Sequence, residues 1–286
     1  MSAKFGPSGN SDYFYEEGHK SSVEAPKWLR SMELDAYEYQ ANKGVNISEE
    51  KAIELGKEAE SNNIELSIHA PYFISLSSED PQKRDNSVKY IIDTLKAAKF
   101  MKAKRIVVHC GTSSKRDRKI AHELQKETLL KAINEAKNQK LNHIYICPET
   151  MGKINQLGTI EEVVNLCKLN DILLPAVDFG HLHARELGGL NVYNDFLRIF
   201  DEIENGLGID RLKNFHIHYS RIEYTDGGEK KHWTYDDIQY GPEFEPIAEI
   251  IYKKNLSPII ICESRGTMDK DARRLKDIYL RYAKGE

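Results

Sequence analysis

Histidine and carboxylate side chains accompany six short apolar runs in this chain. Each run has the length of a β-strand, and each delivers a residue type that binds divalent metal ions or transfers protons. Three imidazoles and three carboxylates that meet in one place are costly to bury without positive charge, because the carboxylates repel one another. The set therefore indicates a site for divalent cations. Its members, with a further histidine three positions after the aspartate, are His69, His109, Glu149, Asp178, His181, His216 and Glu263.

The mixture of ligand types indicates the kind of metal. Imidazole combined with carboxylate suits Zn2+, Mn2+ or Fe2+ better than Mg2+ or Ca2+. The candidate ligands outnumber the four that one tetrahedral ion needs, so we expect two or more ions with a carboxylate between them. Such centres hydrolyse phosphate esters. They also serve sugar isomerases, in which they polarise a carbonyl or hydroxyl group, so the residue types alone leave both reactions open.

The apolar runs alternate with longer amphipathic stretches, and this alternation predicts the elements that position the ligands. The predicted strands are Lys4–Gly6, Leu34–Tyr39, Glu65–Ile68, Arg105–His109, His143–Cys147, Leu173–Asp178, Leu212–His218 and Pro258–Cys262. The predicted helices are Val23–Ser31, Ser48–Ser61, Arg84–Lys102, Arg118–Gln139, Thr159–Leu169, Tyr193–Ile203, Pro242–Lys254 and Lys270–Lys284. Ser48 and Thr159 precede acidic residues and are predicted helix N-caps.

Eight strand–helix units in 286 residues predict an α/β fold, a single (β/α)8 barrel domain that spans residues 1–286. In such a barrel the strands are parallel and the helices lie outside them. The carboxyl ends of the strands form one ring, which is where barrel enzymes keep their active sites. We therefore expect the candidate ligands to meet in one mouth of the barrel.

Composition restricts the classes of function. The net charge of −4 does not favour nucleic-acid binding, although a metal cluster and a local basic patch could attract phosphate. No apolar run approaches the roughly 20 residues that span a bilayer, and the N-terminus MSAKFGPSGN has no apolar signal region. The four cysteines have no paired spacing, so we expect buried, reduced thiols. We expect a cytoplasmic, monomeric protein that does not bind membranes.

At the candidate ligands the sequence resembles endonuclease IV, the zinc-dependent apurinic/apyrimidinic endonuclease family within the xylose isomerase-like TIM barrels. The resemblance runs over most of the chain, from FGPSG near the start to ICESRG near the end. Its most specific segment is SIHAPYFISL, and VVHCG, ICPET, VDFGH, FHIH and CESRG follow in the family's order. The resemblance implies a base excision repair enzyme that hydrolyses double-stranded DNA 5′ to an abasic site.

The resemblance also implies three zinc ions. The implied ligands are His69, His109 and Glu149 for one ion, Glu149 as bridge with Asp178, His216 and Glu263 for the second, and His181 with His232 for the third. Glu149 and Glu263 would also orient or activate the attacking hydroxide. In the family the third ion has a further Asp ligand two residues before the second histidine, a position that is Lys230 in this chain. Glu229 or Asp226 is the candidate substitute, and a weak or absent third ion is the alternative.

Aromatic and basic residues near the ligands suggest contacts with DNA. Tyr72 matches a family residue that inserts into the minor groove beside the abasic site, and Phe73 lies next to it. The alternative is that both rings only cover the barrel mouth. The family's DNA-penetrating Arg after strand two is not evident in DAYEYQANKG. Basic residues that follow strand ends could contact phosphates; they are the segment SSKRDRK, Arg185, Arg221, Lys230, Lys231 and Arg265.

Two other functions stay open. A sugar or sugar-phosphate isomerase or epimerase is favoured by the missing Asp, the missing Arg and the negative net charge, and Glu38 at the end of strand two could serve a sugar substrate. A metal-stabilised binding protein for damaged DNA would need coordinatively closed ions, which the excess of ligands disfavours. His218 points to the same side of its strand as His216, and we expect it to support a ligand.

Overall fold

The computed structural model describes residues 2–114 and 116–284, and eight parallel strands form its centre. The strands are β1 Lys4–Pro7, β2 Ala36–Gln40, β3 Glu65–His69, β4 Arg105–His109, β5 Tyr145–Glu149, β6 Ala176–Asp178, β7 His216–Tyr219 and β10 Ile259–Cys262. Their order in the sheet is β1, β10, β7, β6, β5, β4, β3, β2, and every pair is parallel. A bridge between Ser8 and Glu38 joins the two outer strands. The sheet is thus a nearly closed barrel, and the predicted (β/α)8 fold is confirmed.

Helices surround the barrel, and their apolar faces pack on the outer side of the strands to form the main core. They are α1 Asp12–Glu16, α2 Ala25–Ser31, α3 Glu49–Ser61, α4 Pro81–Met101, α5 Arg118–Asn138, α6 Ile160–Cys167, α7 Phe179–Arg185, α8 Tyr193–Leu207, α9 Ile209–Asn214, α10 Glu245–Lys253 and α11 Met268–Lys284. Both predicted N-caps are present, since Ser48 accepts a hydrogen bond from the Lys51 backbone and Thr159 forms a capping box with Glu162.

The region around β7 differs from the prediction. The predicted strand Leu212–His218 begins only at His216, because the residues before it form helix α9. After β7 the chain forms an antiparallel hairpin of β8 Arg221–Thr225 and β9 Gly228–Trp233, which the sequence analysis did not predict. Asp226 and Gly227 form its turn, a common hairpin pair. The hairpin packs on α7, which was also not predicted, and both elements lie at the carboxyl end of the barrel.

The barrel interior changes character along its axis. Deep in the barrel, small and branched side chains such as Ala36, Val107 and Ile261 fill the space between the strands. Nearer the carboxyl ends, buried polar side chains replace them. All four cysteines are free and buried, as predicted. No helix within residues 2–114 and 116–284 is long and apolar enough to cross a membrane.

Candidate metal centre

One ring of polar side chains, here called the mouth layer, lines the carboxyl end of the barrel. The parallel register brings its members together in pairs, since Gln40 lies opposite His69, His109 opposite Glu149 and Asp178 opposite His218. Side chains alternate between the two faces of a strand, so each strand contributes its inward position nearest the mouth. The members of the mouth layer are Ser8, Gln40, His69, His109, Glu149, Asp178, His218 and Glu263.

His69, His109 and Glu149 form a first ligand group, as the resemblance implied. Nε2 of His69 and Nε2 of His109 lie 3.5 and 3.3 Å from Oε2 of Glu149. Nδ1 of His69 lies 2.9 Å from the carbonyl oxygen of Ala70 and donates its proton there, which leaves the lone pair of Nε2 facing the carboxylate. Glu149 Oε2 is buried and accepts no hydrogen bond from the described residues. Lone pairs that face each other in this way fit a cation between them.

A second ligand group shares Glu149 with the first. It consists of Glu149, Asp178, His218 and Glu263. Nδ1 of His218 lies 2.9 Å from Oε1 of Glu149 and 3.5 Å from Oε1 of Glu263. Asp178 uses Oδ1 to accept a hydrogen bond from the His181 backbone, whereas its buried Oδ2 has no hydrogen-bond partner in the part of the chain that the structure describes. Glu149 therefore occupies the position of a bridging carboxylate between two groups.

Carboxylates and imidazoles in these groups shift one another's pKa values strongly. Burial opposes ionisation of Glu149, yet His218 and the other imidazoles hold its pKa well below the ordinary value. Burial raises the pKa of Asp178. Burial disfavours protonation of His69, but Glu149 outweighs it and raises the pKa of His69 to about 9. Without a metal ion, protons on the imidazoles must compensate the carboxylates.

The structure places His218, not His216, with the second group. The resemblance predicts His216 in this position and His218 in a supporting role, whereas the structure brings His218 to the other three members of the group. His216 is the first residue of β7 and lies opposite Ala176, one layer below the mouth, whereas His218 lies opposite Asp178. Every other ligand of the first two groups stands at the last residue of its strand or just after it. Applied to FHIH, that rule selects His218.

His181, Glu229 and His232 form a third ligand group at the hairpin. The nearest oxygens of Glu229 lie 3.6 Å from Nε2 of His181 and 3.7 Å from Nε2 of His232. The other ring nitrogens are already engaged, Nδ1 of His181 with the Thr150 carbonyl at 2.9 Å and Nδ1 of His232 with Ser220 Oγ at 2.7 Å. Burial opposes ionisation of Glu229, but His232 and His181 lower its pKa to about 2. Two oriented imidazoles and an ionised carboxylate are a suitable donor set for zinc.

A β-bulge explains why Glu229 takes the position that Lys230 cannot. Lys231 pairs with Glu223 and Glu229 pairs with Tyr224, so Lys230 is an extra residue in β9. The extra residue brings Glu229 to the same side of the strand as His232, although the two are three positions apart. Lys230 points outward and its Nζ lies 2.6 Å from Glu223. Of the two substitutes considered, the structure brings Glu229 to the histidines and leaves Asp226 in the turn.

The two predicted DNA-contacting aromatic residues have different surroundings. Tyr72 is 55% exposed and lines a cavity of 360 Å³ together with His69, His109 and Glu149. Phe73 is 41% exposed and packs edge-on against Tyr90, with 4.7 Å between the ring centroids. Tyr72 therefore faces the first ligand group, whereas Phe73 belongs to the neighbouring loop surface.

Several of the predicted phosphate-contacting basic residues are engaged elsewhere. Arg185 donates hydrogen bonds to backbone carbonyls that include those of Met151 and Gln156. Arg221 is buried and paired with Glu243. Lys115 of the SSKRDRK segment lies outside the described residues. Lys231 and Arg265 line a cavity of 540 Å³ that also contains His232 and Glu263. Lys230 lines the same cavity with its Nζ paired to Glu223, and Lys153 lines the 360 Å³ cavity beside His69 and His109.

Glu38 does not line the mouth of the barrel. At the end of predicted strand two, Glu38 is a candidate for sugar binding. In the structure β2 continues to Gln40, and Glu38 is fully buried one layer below the mouth, in contact with His216 and His218. Gln40 and Asn42 line the cavity in its place.

Comparison with known proteins identifies sequence relatives over most of the chain. The sequence profile of the xylose isomerase-like TIM barrel family matches residues 26–278. An uncharacterized protein of Methanocaldococcus jannaschii is 35% identical over 237 residues, which cover 82% of this chain and 84% of that protein. The probable endonuclease 4 of Oceanobacillus iheyensis is 28% identical over 264 residues, which cover 85% of this chain and 84% of the relative.

Solved structures share the barrel at lower sequence identity. Endonuclease IV from Thermus thermophilus superposes with a TM-score of 0.67 at 18% identity, covering 94% of this chain and 96% of that one. A D-tagatose 3-epimerase-like protein superposes with a TM-score of 0.68 at 20% identity, covering 88% and 89% of the two chains. Because nuclease and epimerase fit about equally well, these similarities establish the fold and do not distinguish the reaction.

Proposed function

The chain belongs to the xylose isomerase-like TIM barrel family, and we propose that it is a metal-dependent endonuclease that cleaves double-stranded DNA at abasic sites. The resemblance to endonuclease IV that the sequence shows is confirmed by relatives named probable endonuclease 4. The observation that supports the proposed reaction is the third ligand group, which the hairpin adds to the two groups joined by Glu149. A sugar isomerase needs one or two ions to polarise a carbonyl, whereas a phosphodiester offers several oxygens to a larger cluster.

We assign the three groups to zinc. The proposed ligand sets are His69, His109 and Glu149; Glu149, Asp178, His218 and Glu263; and His181, Glu229 and His232. Bound zinc ions supply positive charge that neutralises a phosphate group and lowers the pKa of a coordinated water. The buried Oε2 of Glu149 and Oδ2 of Asp178, which lack hydrogen-bond partners among the described residues, support this assignment.

Glu263 is the proposed general base. It lines both cavities at the mouth, so it can reach a substrate from either side. Its Oε1 accepts a hydrogen bond from Ser8 Oγ at 3.1 Å, which orients the carboxylate. Burial opposes ionisation, but His218 keeps the pKa of Glu263 below its ordinary value, so the group is ready to accept a proton from the attacking water. Glu149, which is nearly inaccessible, is shared by the first two ligand groups and would help to position the attacking water between them.

Tyr72 is the proposed wedge at the lesion. Its exposed ring stands at the rim of the ligand-lined cavity, where an abasic nucleotide leaves a gap in the base stack. An aromatic side chain in such a gap stabilises a kinked duplex. Lys231 and Arg265, on the other side of Glu263, would contact the phosphates that flank the scissile bond.

Nicking of a defined duplex tests the proposal. We expect the zinc-loaded protein to cut a duplex with one tetrahydrofuran abasic mimic on its 5′ side, and a chelator to abolish the cut. The same duplex without the lesion is the substrate control, and Glu263→Gln is the protein control. Intact lesion duplex after incubation with both zinc- and manganese-loaded protein would refute the proposed reaction.

A metal-dependent sugar or sugar-phosphate epimerase is the second candidate. The amide side chains of Gln40, Asn42 and Gln156 line the 360 Å³ cavity beside the ligands, and such groups suit hydroxyl-bearing substrates. This candidate predicts exchange of a carbon-bound hydrogen of a ketose for deuterium in D2O, measured by NMR. Exchange without nicking would replace the first candidate by the second.

A further inference from the structure

Ionisable side chains continue below the mouth layer into the barrel interior. Glu38 and His216 lie there in contact with His218, and all three are fully buried. Branched apolar side chains usually fill the interior of a (β/α)8 barrel. A buried carboxylate is tolerated only when hydrogen bonds satisfy it. Glu38 is also too deep to meet a substrate, so its presence needs another explanation.

The carboxylate of Glu38 is satisfied by donors from three strands. Oε2 accepts a hydrogen bond from Ser67 Oγ at 2.8 Å and lies 3.1 Å from Nε2 of His216. Oε1 lies 3.0 Å from Nε2 of His218, and the side chain of Gln40 approaches it at 3.4 Å. Both oxygens are thus occupied, and the position of the carboxylate is fixed by β2, β3 and β7 together.

This arrangement determines which nitrogen of His218 is available to a metal ion. The Glu38 carboxylate holds the proton of Nε2. Nδ1, which donates to Oε1 of Glu149 at 2.9 Å, is therefore the nitrogen that would exchange its proton for a metal ion. A carboxylate on the far nitrogen of a ligating imidazole fixes its tautomer and ring orientation and increases its basicity. The contacts of His218 match that pattern on both sides of the ring.

We propose that Glu38 is a positioning residue that fixes His218 as a ligand of the ion it shares with Glu149, Asp178 and Glu263. This inference rests on the metal centre of the proposed function and is independent of the substrate. His216 lies beside this pair, with its Nε2 3.1 Å from the second oxygen of the same carboxylate and 3.1 Å from Nε2 of His218. Of the two histidines in FHIH, His218 is thus the proposed ligand, and His216 supports the Glu38 carboxylate behind it.

Metal titration of Glu38→Gln tests the proposal. The amide offers one acceptor oxygen where four donor groups converge, so His218 loses its fixed orientation. We expect the affinity for one zinc ion, measured by competition with a chromophoric chelator, to fall 10- to 100-fold. The other ions should bind as in the wild type, and the visible spectrum of the cobalt-substituted protein should change for the affected ion alone.

Glu65→Gln is the matched control. Glu65 is a mostly buried carboxylate in the same barrel, but it lies at the opposite end and pairs with Lys4, Lys104 and Arg105. We expect this variant to lose stability without a change in metal affinity. Ser67→Ala provides a milder second variant, which removes one donor to Glu38 and should weaken the same ion by a smaller factor.

Two results would overturn the proposal. One is a folded Glu38→Gln variant that binds every ion within about twofold of the wild type; should that variant not fold, unchanged affinities in Ser67→Ala have the same meaning. The other is an equal loss of affinity in Glu65→Gln, which would assign the effect to the barrel as a whole. Failure of the proposed function appears separately, as absent nicking by a wild-type protein that still binds its metals.

Discussion

Replacement of Gly152 should test the hairpin-borne ligand group most directly. A Cβ on Gly152 would lie 2.6 Å from Cβ of Glu229 and 3.1 Å from Cδ2 of His181. Carbon atoms pack at about 3.5–4.0 Å, so Gly152→Ala must displace Glu229 by about 1 Å. Glu229 is the carboxylate that joins His181 to His232, and its displacement opens the third group.

The expected result is a loss of one zinc ion and of most of the activity. A misplacement of about 1 Å near a catalytic centre lowers turnover about 100-fold, which corresponds to about 2.7 kcal/mol of transition-state stabilisation. Plasma emission on gel-filtered Gly152→Ala would count the ions per chain, and nicking of the lesion duplex under saturating conditions would give kcat. The stability of the barrel should change little, because the clash lies in a loop at its mouth.

Gly227→Ala is the control within the same hairpin. The nearest atom to a Cβ at Gly227 is Thr225 Oγ1 at 3.7 Å, an ordinary contact. This variant should therefore keep the wild-type metal content and turnover. Equal zinc content and kcat in Gly152→Ala and Gly227→Ala would show that the third group does not hold an ion that the reaction needs.

Three further predictions concern catalysis, pH and substrate recognition. Glu263→Gln should lower kcat by about 10²- to 10⁴-fold in protein that still holds its zinc, because an amide cannot accept the proton of the attacking water. The zinc content is measured alongside, since Glu263 also belongs to the second ligand set, and near-normal turnover would remove Glu263 from the role of base. Zinc affinity should rise from about pH 6 to about pH 9, because zinc must displace protons from His69 and His181. Burial disfavours protonation of both rings, but neighbouring carboxylates outweigh it and raise the pKa of each to about 9. Calorimetry in buffers of different ionisation enthalpy would measure the release, and a pH-independent affinity would contradict it. Tyr72→Ala should raise KM for the lesion duplex with unchanged zinc content. Phe73→Ala should have a smaller effect, because the Phe73 ring packs on Tyr90. Equal effects of the two variants would argue against the wedge.

The barrel and the first ligand group were predictable because their signals are local. Each strand is a short apolar run, and the following helix begins with a cap such as Thr159 that the sequence displays. His69, His109 and Glu149 end their strands, and the ends of parallel strands meet at one edge whatever the loops do. The assignment of these residues to one site therefore needed no knowledge of the loops.

The choice between His216 and His218 was not predictable from the segment by itself. Both side chains point into the barrel, because they are two positions apart on one strand. Their heights depend on where β7 begins, and this depends on helix α9, which occupies residues that an apolar run assigned to the strand. Pairing with Asp178 on β6 then raises His218 to the mouth.

The sequence by itself determined the alternation of strands and helices and the residue types at the strand ends, since both depend on neighbours along the chain. Tertiary structure alone decided which of those side chains share a layer, because a layer is set by the register between strands that are far apart in sequence. It also decided that Glu229 joins His181 and His232, because one extra residue in β9 reverses the side that Glu229 faces. A bulge arises from pairing with the opposite strand, and the residue types of β9 do not indicate where it lies.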